Sequence, residues 1–428
     1  MTKLQNVLII GAGGREHALV WKIAQSERIG KLYVAPGNGG TVSIATNVDI
    51  AVSDVDGLLS FAMSNDIGLT VVGPDDTLAL GVVDTFTRAG QRIFGPTQAA
   101  AQIEASKAFS KQLMIKSGVP TAEFKTFTDL GDALDYLDGR RYPLVVKASG
   151  LALGKGVVIC ASPSEARQAL QDMMADKIFG AAGSSVVIED YLTGREVSLH
   201  AFCDGQAAVL FPTAQDHKPI RDNDEGPNTG GMGTIAPVPW ATADLLTKAK
   251  TTVVDPILAA LSEAGVPFSG LLYPGLMISD TGFNVLEFNA RFGDPETQSY
   301  MRLLDTDLLD ILDACVNGKL NEVEIRWSTK SAVTIVLASR GYPGAYAKGL
   351  PISGIEAASA MSDIVVFHAG TTQKDGQIVT SGGRVLGISA TGTDLADALT
   401  KAYEAVKLIS FEGMQYRTDI GRKSLSHA

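Results

Sequence analysis

The sequence predicts a multidomain chain of α/β and α+β class: a parallel α/β domain, a larger domain rich in antiparallel strands, and a small C-terminal mixed α/β domain. Three observations predict it. The 428 residues exceed one ordinary domain, at roughly 150 residues each. From Asn6 to about Ala101, short β-rich runs (NVLII, KLYV, LTVVG, QRIFG) alternate with helical stretches at Arg15 to Gln25 and Thr77 to Ala89, the pattern of βαβ units on a parallel sheet. Beyond them, β-rich runs are separated by glycine turns instead of helices, which predicts antiparallel pairing.

The elements follow in order. A helix is expected over Glu104 to Gly118, where Phe109, Leu113 and Met114 share one side and Gly118 to Pro120 stop it. YPLVVKA and VVIC flank the turn GLALGKG, VVIEDYL and REVSLHAFC flank a TG turn, and GLLYPGLMIS and FNVLEFN flank Asp280 to Gly282. Each is read as an antiparallel pair. From Ser331, AVTIVLAS, DIVVFHAG and GGRVLGIS precede a helix near Asp394 to Leu408. The expected domains are 1–101, 102–330 and 331–428.

Composition excludes several classes. Hydrophobic residues at 45% and charged residues at 19% exclude general disorder. A formal charge of -11 argues against broad attraction to nucleic acid or anionic lipid. Cys160, Cys203 and Cys315 form no CxxC pair, which suggests neither a disulfide framework nor a zinc ribbon and fits a reducing, cytoplasmic setting. The apolar stretch Val7 to Ile10 is too short for a signal-peptide core, and no run reaches the ~18 apolar residues of a membrane span. No exposed apolar segment calls for a partner, so a monomer is expected.

Glycine is abundant, 45 of 428, and it marks loops with chemistry. A strand followed by GAGGREHAL lets backbone N–H groups approach an anion at a helix start. A dinucleotide fingerprint needs glycine where Glu16 stands, and an acidic residue where Pro36, Gly37 and Asn38 follow the second strand, so NAD is disfavoured. APGNGG and VGPDD lie at the carboxyl ends of the same sheet, where ligands bind. GLALGKG is not a Walker loop: three residues precede GK, Gly156 follows it, and a strand comes next. A glycine hairpin with one lysine can fold over a polyphosphate, with Lys147 and Lys107 adding charge.

In VLEFNARFGDPE, Glu287 and Asn289 sit two apart on a strand and project from one face. Few protein oxygens on one face suit Mg2+ carried in with nucleotide phosphates, and Arg291 continues that face with a fork that binds two oxygens. His217 lies between Asp216 and Lys218 and is given no proton-transfer role. GPNTGGMG is either a substrate loop or a connection, since it suits neither a regular helix nor a central strand.

A strand lysine, a glycine hairpin, the acidic hinge VVIEDYL and the E-x-N strand, in that order, resemble the ATP-grasp superfamily of carboxylate–amine ligases. GAGGREHAL, APGN, VGP, SKAF, GLALGKGV, DHK, GPNTGGMG, EFNARFGDPETQ, HAGT and GGRV together resemble the glycinamide ribonucleotide synthetase family, over nearly the full chain. That resemblance implies an ATP-grasp fold with a lid at about 123–193. It also implies ATP-dependent, ADP-forming joining of glycine to 5-phosphoribosylamine in purine biosynthesis, through a glycyl phosphate, with ATP and Mg2+ or Mn2+. Lys107, Lys147, Gly154, Lys155 and Gly156 would face ATP phosphates, Glu189 and Leu192 the adenine, and Glu196 the ribose. Glu287 and Asn289 would hold metal. Gly11, Gly13, Gly14, Arg15, Gly37, Asn38 and Asp75 would bind phosphoribosylamine, with Gly230 and Gly231 also on the substrate side. Asp216, Lys218, Arg291 and Asp294 would surround glycine and the acyl phosphate, while Arg384 and His368 would either close the site or serve structure alone. Asp75, Ser149 and Pro219 depart from the family's usual residues. The alternatives are an ATP-grasp ligase for another carboxylate, and a nucleotide-binding sensor without turnover.

Overall fold

A computed structural model describes residues 4–152 and 156–425. Gly154 and Lys155 of the expected glycine hairpin therefore lie outside the described residues. The first strands form as the alternation predicts. β1 (Gln5–Gly11), β2 (Ile29–Pro36), β3 (Thr46–Asn47), β4 (Ile67–Val72) and β5 (Ile93–Phe94) make one parallel sheet, ordered β3-β2-β1-β4-β5. α1 (Gly14–Ile23) and α2 (Val55–Ser64) are its long connections. Val7, Leu8, Ile9 and Ile10 are all fully buried, as a strand covered on both faces requires. One helix expected from Thr77 to Ala89 is instead two, α3 (Asp75–Ala79) and α4 (Val82–Arg88). Gly81, at φ +79 between them, takes the left-handed conformation that an interior helical residue cannot.

A second correction concerns the next helix. α5 (Gln98–Ala105) ends at Ser106, whose hydroxyl accepts the Phe109 N–H and starts α6 (Lys107–Lys116). Glu104 thus closes one helix and does not open the other. β6 (Phe124–Phe127), α7 (Leu130–Tyr136), β7 (Leu144–Ala148), β8 (Val157–Cys160), α8 (Pro163–Leu170) and β9 (Val186–Asp190) form a compact unit whose antiparallel sheet is ordered β6-β9-β7-β8. Its core includes Val146, Leu170 and Ile188.

The strand pair expected across the Thr193–Gly194 turn does not form. β9 stays in that sheet, whereas β10 (Arg195–Ser198) and β11 (Ala201–Asp204) join β12 (Ala208–Leu210) in another. Next come β13 (Gln215–Asp216), β14 (Pro219–Arg221), β15 (Glu225–Asn228), β16 (Gly233–Ala236), α9 (Ala243–Ala249) and α10 (Asp255–Glu263). The long hairpin of β17 (Ser269–Ser279) and β18 (Gly282–Asn289) forms as read, with β17 also pairing β10 and β11. α11 (Glu296–Leu303) and α12 (Leu308–Val316) complete this part.

β19 (Ser331–Ser339), α13 (Ile355–Ser359), β20 (Ile364–His368), β21 (Thr371–Lys374), β22 (Gln377–Thr380), β23 (Arg384–Gly392), α14 (Leu395–Val406), β24 (Met414–Gln415) and α15 (Arg422–Leu425) follow. The last sheet is not confined to them. It runs β13-β16-β19-β23-β20, so the segment after GPNTGG is built into it and Gly233 opens one of its inner strands. Gly226 to Asn228 also lie in β15, so the reading that GPNTGGMG suits no central strand is corrected at Gly233.

The first sheet is tied to α12 by charge. Asp313 takes Arg28 at 2.5 Å and Arg92 at 2.7 Å, and Gln5 donates to it at 3.3 Å. Asp313→Ala removes all three contacts. We expect a loss of about 1–3 kcal/mol in urea unfolding.

Candidate active site

A cavity of about 280 Å3 lies between the β6-β9-β7-β8 sheet, α6 and the β17–β18 hairpin. Its lining includes an apolar wall at Val145, Met277 and Leu286 and a set of charged side chains. Leu192, Glu196 and Gly156 line it, as does Tyr191 beside them.

One wall carries lysines. Lys107 begins α6; its N–H donates to the Ser149 carbonyl, and the Ser149 hydroxyl accepts the Ala108 N–H at 3.1 Å. Ser149 thus satisfies two first-turn N–H groups of the helix that Ser106 starts. Burial holds Lys107 below the usual amine value. Lys147 reaches the Leu286 carbonyl at 3.1 Å and Glu189 at 2.5 Å, and Lys111 meets the other Glu189 oxygen at 2.5 Å. Burial pushes the Glu189 carboxyl up, but Lys147 and Lys111 outweigh it and hold it below the ordinary range. Burial also keeps Lys111 low, since Glu189 only partly offsets it. Glu189 therefore spends its side chain on two lysines while lining the cavity.

The opposite wall is the exit of β18. Glu287 and Asn289 stand opposite Gly275 and Tyr273 of β17 and both line the cavity. Burial pushes Glu287 up, but Lys218, Lys147, Lys107 and Arg291 together pull it to about 2. Lys218 pairs with Glu196 and lies 3.8 Å from Glu287. Against burial, Glu196 and Glu287 raise its pKa. An ionised carboxylate and an amide oxygen on one strand face form a hard-oxygen donor set that fits a divalent ion sharing its other positions with phosphates. No cluster of three or more His, Cys, Asp or Glu suited to a metal occurs among the described residues.

The chain leaving β18 threads several charges. Arg291 donates to Asn289 Oδ1 at 3.1 Å and the Phe292 carbonyl at 3.3 Å, and pairs with Glu104 at 3.1 Å. Arg15 of the first glycine loop donates to that same carbonyl at 3.1 Å. Burial raises Asp75, but Arg291 and Arg15 outweigh it and hold it below the usual carboxylate range. Burial, only partly offset by Arg291, lifts Glu104 to about 7. Asp216 is pushed well above the usual range by burial and then by Glu296, more than Lys218 and Arg384 restore; its Oδ1 has no hydrogen-bond partner. Glu296 accepts from Tyr273 at 2.5 Å and Ser198 at 3.1 Å.

A second cavity, about 300 Å3, opens where the first sheet's loops meet β23. Gly13, Gly37 and Asn38 line one side, Thr371, Ser381 and Arg384 the other, and Asp294 borders both cavities. Arg384 donates to the Gly230 and Asp294 carbonyls at 2.5 and 2.7 Å and pairs with the Asp294 carboxylate at 3.2 Å. Burial raises Asp294, but Arg384 and Arg15 keep it below its usual value. Gly231 sits at φ +112, and a Cβ there would meet Pro295 at 2.4 Å and Asp216 at 2.6 Å, so only glycine fits this turn.

Within the first glycine loop, Glu16 is 1% exposed. Its carboxylate accepts the Gly13 N–H at 2.6 Å and pairs with Arg15 at 2.5 Å, filling the crook where a bound anion was expected. Gly11 packs there too, since a Cβ on it would meet Glu16 at 2.4 Å, and one on Gly14 would meet Gln298 at 2.5 Å. Asn38 donates to the Ala12 and His368 carbonyls, each at 2.9 Å. His217 is locked between the Gly233 carbonyl and the Gly421 N–H, with burial lowering it to about 4. Pro219 lies in the β14–β15 ribbon, its carbonyl taken by Arg417. Sequence reading passed over Glu104, Lys111, Tyr273, Glu296, Thr371 and Ser381. The late HAGT and GGRV runs were the signal for the last two, whereas Glu104 and Lys111 had none beyond charge.

Two sheets that close on one charge-lined cavity from opposite sides define a class, the ATP-grasp enzymes. Family models of phosphoribosylglycinamide synthetase match in three parts: its N domain at residues 5–104, its ATP-grasp (A) domain at 105–297 and its C domain at 332–423. The chain belongs to this family. It is 47% identical over 427 residues to a phosphoribosylamine–glycine ligase of Rhodopirellula baltica, covering 98% of each chain. It is also 48% identical to part of the trifunctional purine biosynthetic protein adenosine-3 of Gallus gallus, covering 98% of this chain and 42% of that one. The crystal structure of phosphoribosylamine–glycine ligase from Thermotoga maritima superposes with a TM-score of 0.84 at 34% identity, over 97% of this chain and 99% of that one. A biotin carboxylase domain from Hydrogenobacter thermophilus, solved with MgADP, shares the fold at TM-score 0.75 and 15% identity, over 97% of this chain and 92% of that one.

Glu189→Gln leaves two buried ammonium groups beside a neutral amide, and breaking such a group costs about 3–5 kcal/mol. Urea unfolding at pH 7 should show that loss. Because the folded carboxyl titrates below its ordinary value of 4.5, its contribution is full at neutral pH and disappears as pH falls through the folded pKa; the variant and parent curves should converge in acid.

Proposed function

We propose that this chain joins glycine to 5-phosphoribosylamine at the expense of ATP, releasing ADP and phosphate, with the residue roles that follow. The observation that carries the reading is Asp294, which borders both cavities. A carboxylate is a poor acyl donor, so glycine must first be activated. Its carboxylate oxygen attacks the γ-phosphorus of ATP, the bond to ADP breaks, and glycyl phosphate forms. The amine nitrogen of phosphoribosylamine then attacks the acyl carbon, the C–O bond to phosphate breaks, and the nitrogen loses a proton.

Lys107 and Lys147 face the phosphates, and the apolar wall at Val145, Met277 and Leu286 takes the base near Leu192. Glu196 serves the ribose. Glu287 and Asn289 would hold Mg2+ or Mn2+, which when bound neutralises phosphate charge. Arg291 and Lys218 steady the acyl phosphate, in chemistry governed by positioning and charge. Asp216, with an unpartnered carboxyl oxygen, faces the glycine and the acyl phosphate. The sugar phosphate lies in the second cavity between Gly13 and Asn38 on one side and Thr371 and Ser381 on the other. Asp75 and Arg15 orient the ribose. The boundaries proposed for the three domains are 1–101, 102–330 and 331–428. No helix among the described residues is long and apolar enough to cross a membrane; we place the enzyme in the cytoplasm as a monomer.

Incubation with ATP, phosphoribosylamine and a panel of carboxylates tests the reading. ADP release should require glycine, and release with formate but not glycine would overturn it. Glu287→Ala should lower kcat by at least about 10²-fold while the melting temperature stays near that of the parent. Kinetics equal to the parent would remove Glu287 from the metal site.

A further inference from the structure

Glu104 belongs to none of the sequence motifs, yet it holds the exit of the metal-facing strand from below. It closes α5, is 9% exposed, and lines the nucleotide cavity. Its Oε2 accepts the Ala290 N–H at 2.6 Å, and its Oε1 lies 3.1 Å from Arg291 Nη2. One carboxylate therefore fixes both the main chain and the guanidinium at adjacent residues. The other Arg291 contacts are Asn289 Oδ1 from Nη2 and the Phe292 carbonyl from Nη1. Nε is buried without a hydrogen-bond partner. A guanidinium is planar, so anchoring both terminal nitrogens sets the direction of the remaining N–H. A buried ion pair is retained only with good geometry, and here the second oxygen is occupied by backbone, which leaves the carboxylate little freedom to turn.

We propose that Glu104 is a positioning residue for the ligation: it orients Arg291 so that the unpartnered Nε–H meets an oxygen of glycine's carboxyl or of the acyl phosphate derived from it. This rests on the role given to Arg291 above. Glu104 itself touches no substrate in this account. Its effect belongs to the glycine half of the reaction, because ATP phosphates are held from the lysine wall.

The test is steady-state kinetics of the full-length enzyme. Glu104→Gln keeps size and an acceptor for the Ala290 N–H but loses the charge that holds Arg291. It should lower kcat/KM for glycine at least about 10-fold, the range for residues that orient a functional group, with KM for ATP within about twofold. Glu104→Asp should recover part of the loss. In an Arg291→Ala background Glu104→Gln should cost nothing further, as expected for residues acting as one unit. A purely structural Glu104 would instead lower the melting temperature and leave the glycine parameters of the folded enzyme alone. Glycine kinetics within twofold of the parent, or losses that add to those of Arg291→Ala, would overturn the proposal. Should the parent enzyme show no glycine-dependent ADP release, the ligase reading fails and this one with it; a normal parent with an unimpaired Glu104→Gln defeats this one alone.

Discussion

The Asp294 carboxylate stands where two cavities meet, and its pairing with Arg384 holds them in register. Arg384 comes from the last sheet, and it grips the Gly230 carbonyl as well as the carbonyl and carboxylate of Asp294. Three segments far apart in sequence are thereby fixed at one point. Desolvating these charges is affordable only because each is answered, and a single broken partner would leave a buried charge exposed to a low dielectric.

The ten residues from Glu287 to Glu296 extend this constraint along a line. Glu287 and Asn289 face the nucleotide cavity, Arg291 and the Phe292 carbonyl join Glu104 to Arg15, and Glu296 is fixed by Tyr273 and Ser198. A hairpin buried through Leu272, Leu276 and Val285 supplies the rigidity. Function built on such an element is positioned more closely than function on a free loop. In the proposed reading, chemistry at the γ-phosphate and chemistry at the sugar amine therefore share one scaffold.

Much of this was legible in the sequence. The parallel first sheet followed from strand and helix alternation, and the Glu287–Asn289 face from the two-residue period of a strand. The Thr193–Gly194 turn misled, because a TG turn between β-rich runs looks like a hairpin. In fact Gly194 sits against the Ile278 carbonyl, 2.1 Å from its would-be Cβ, and carries the chain from one sheet to another. Local composition cannot register that passage. The pairs Glu104–Arg291 and Lys111–Glu189 were illegible for a related reason: each joins residues on separate elements, with no period or spacing to announce it. Glu16 was noticed only as a residue that spoils a dinucleotide pattern, and its carboxylate turns out to occupy the crook of the loop.

Cocrystallisation with ADP and the stable product, glycinamide ribonucleotide, tests the shared centre most directly. The account requires the ribose phosphate between Asn38 and Thr371, the new amide beside Asp294 and Arg291, and the ADP β-phosphate at Lys107 and Lys147, close enough for one transferred phosphoryl group to span the gap. Product bound elsewhere, or an amide held beyond reach of the nucleotide in a closed enzyme, would contradict it.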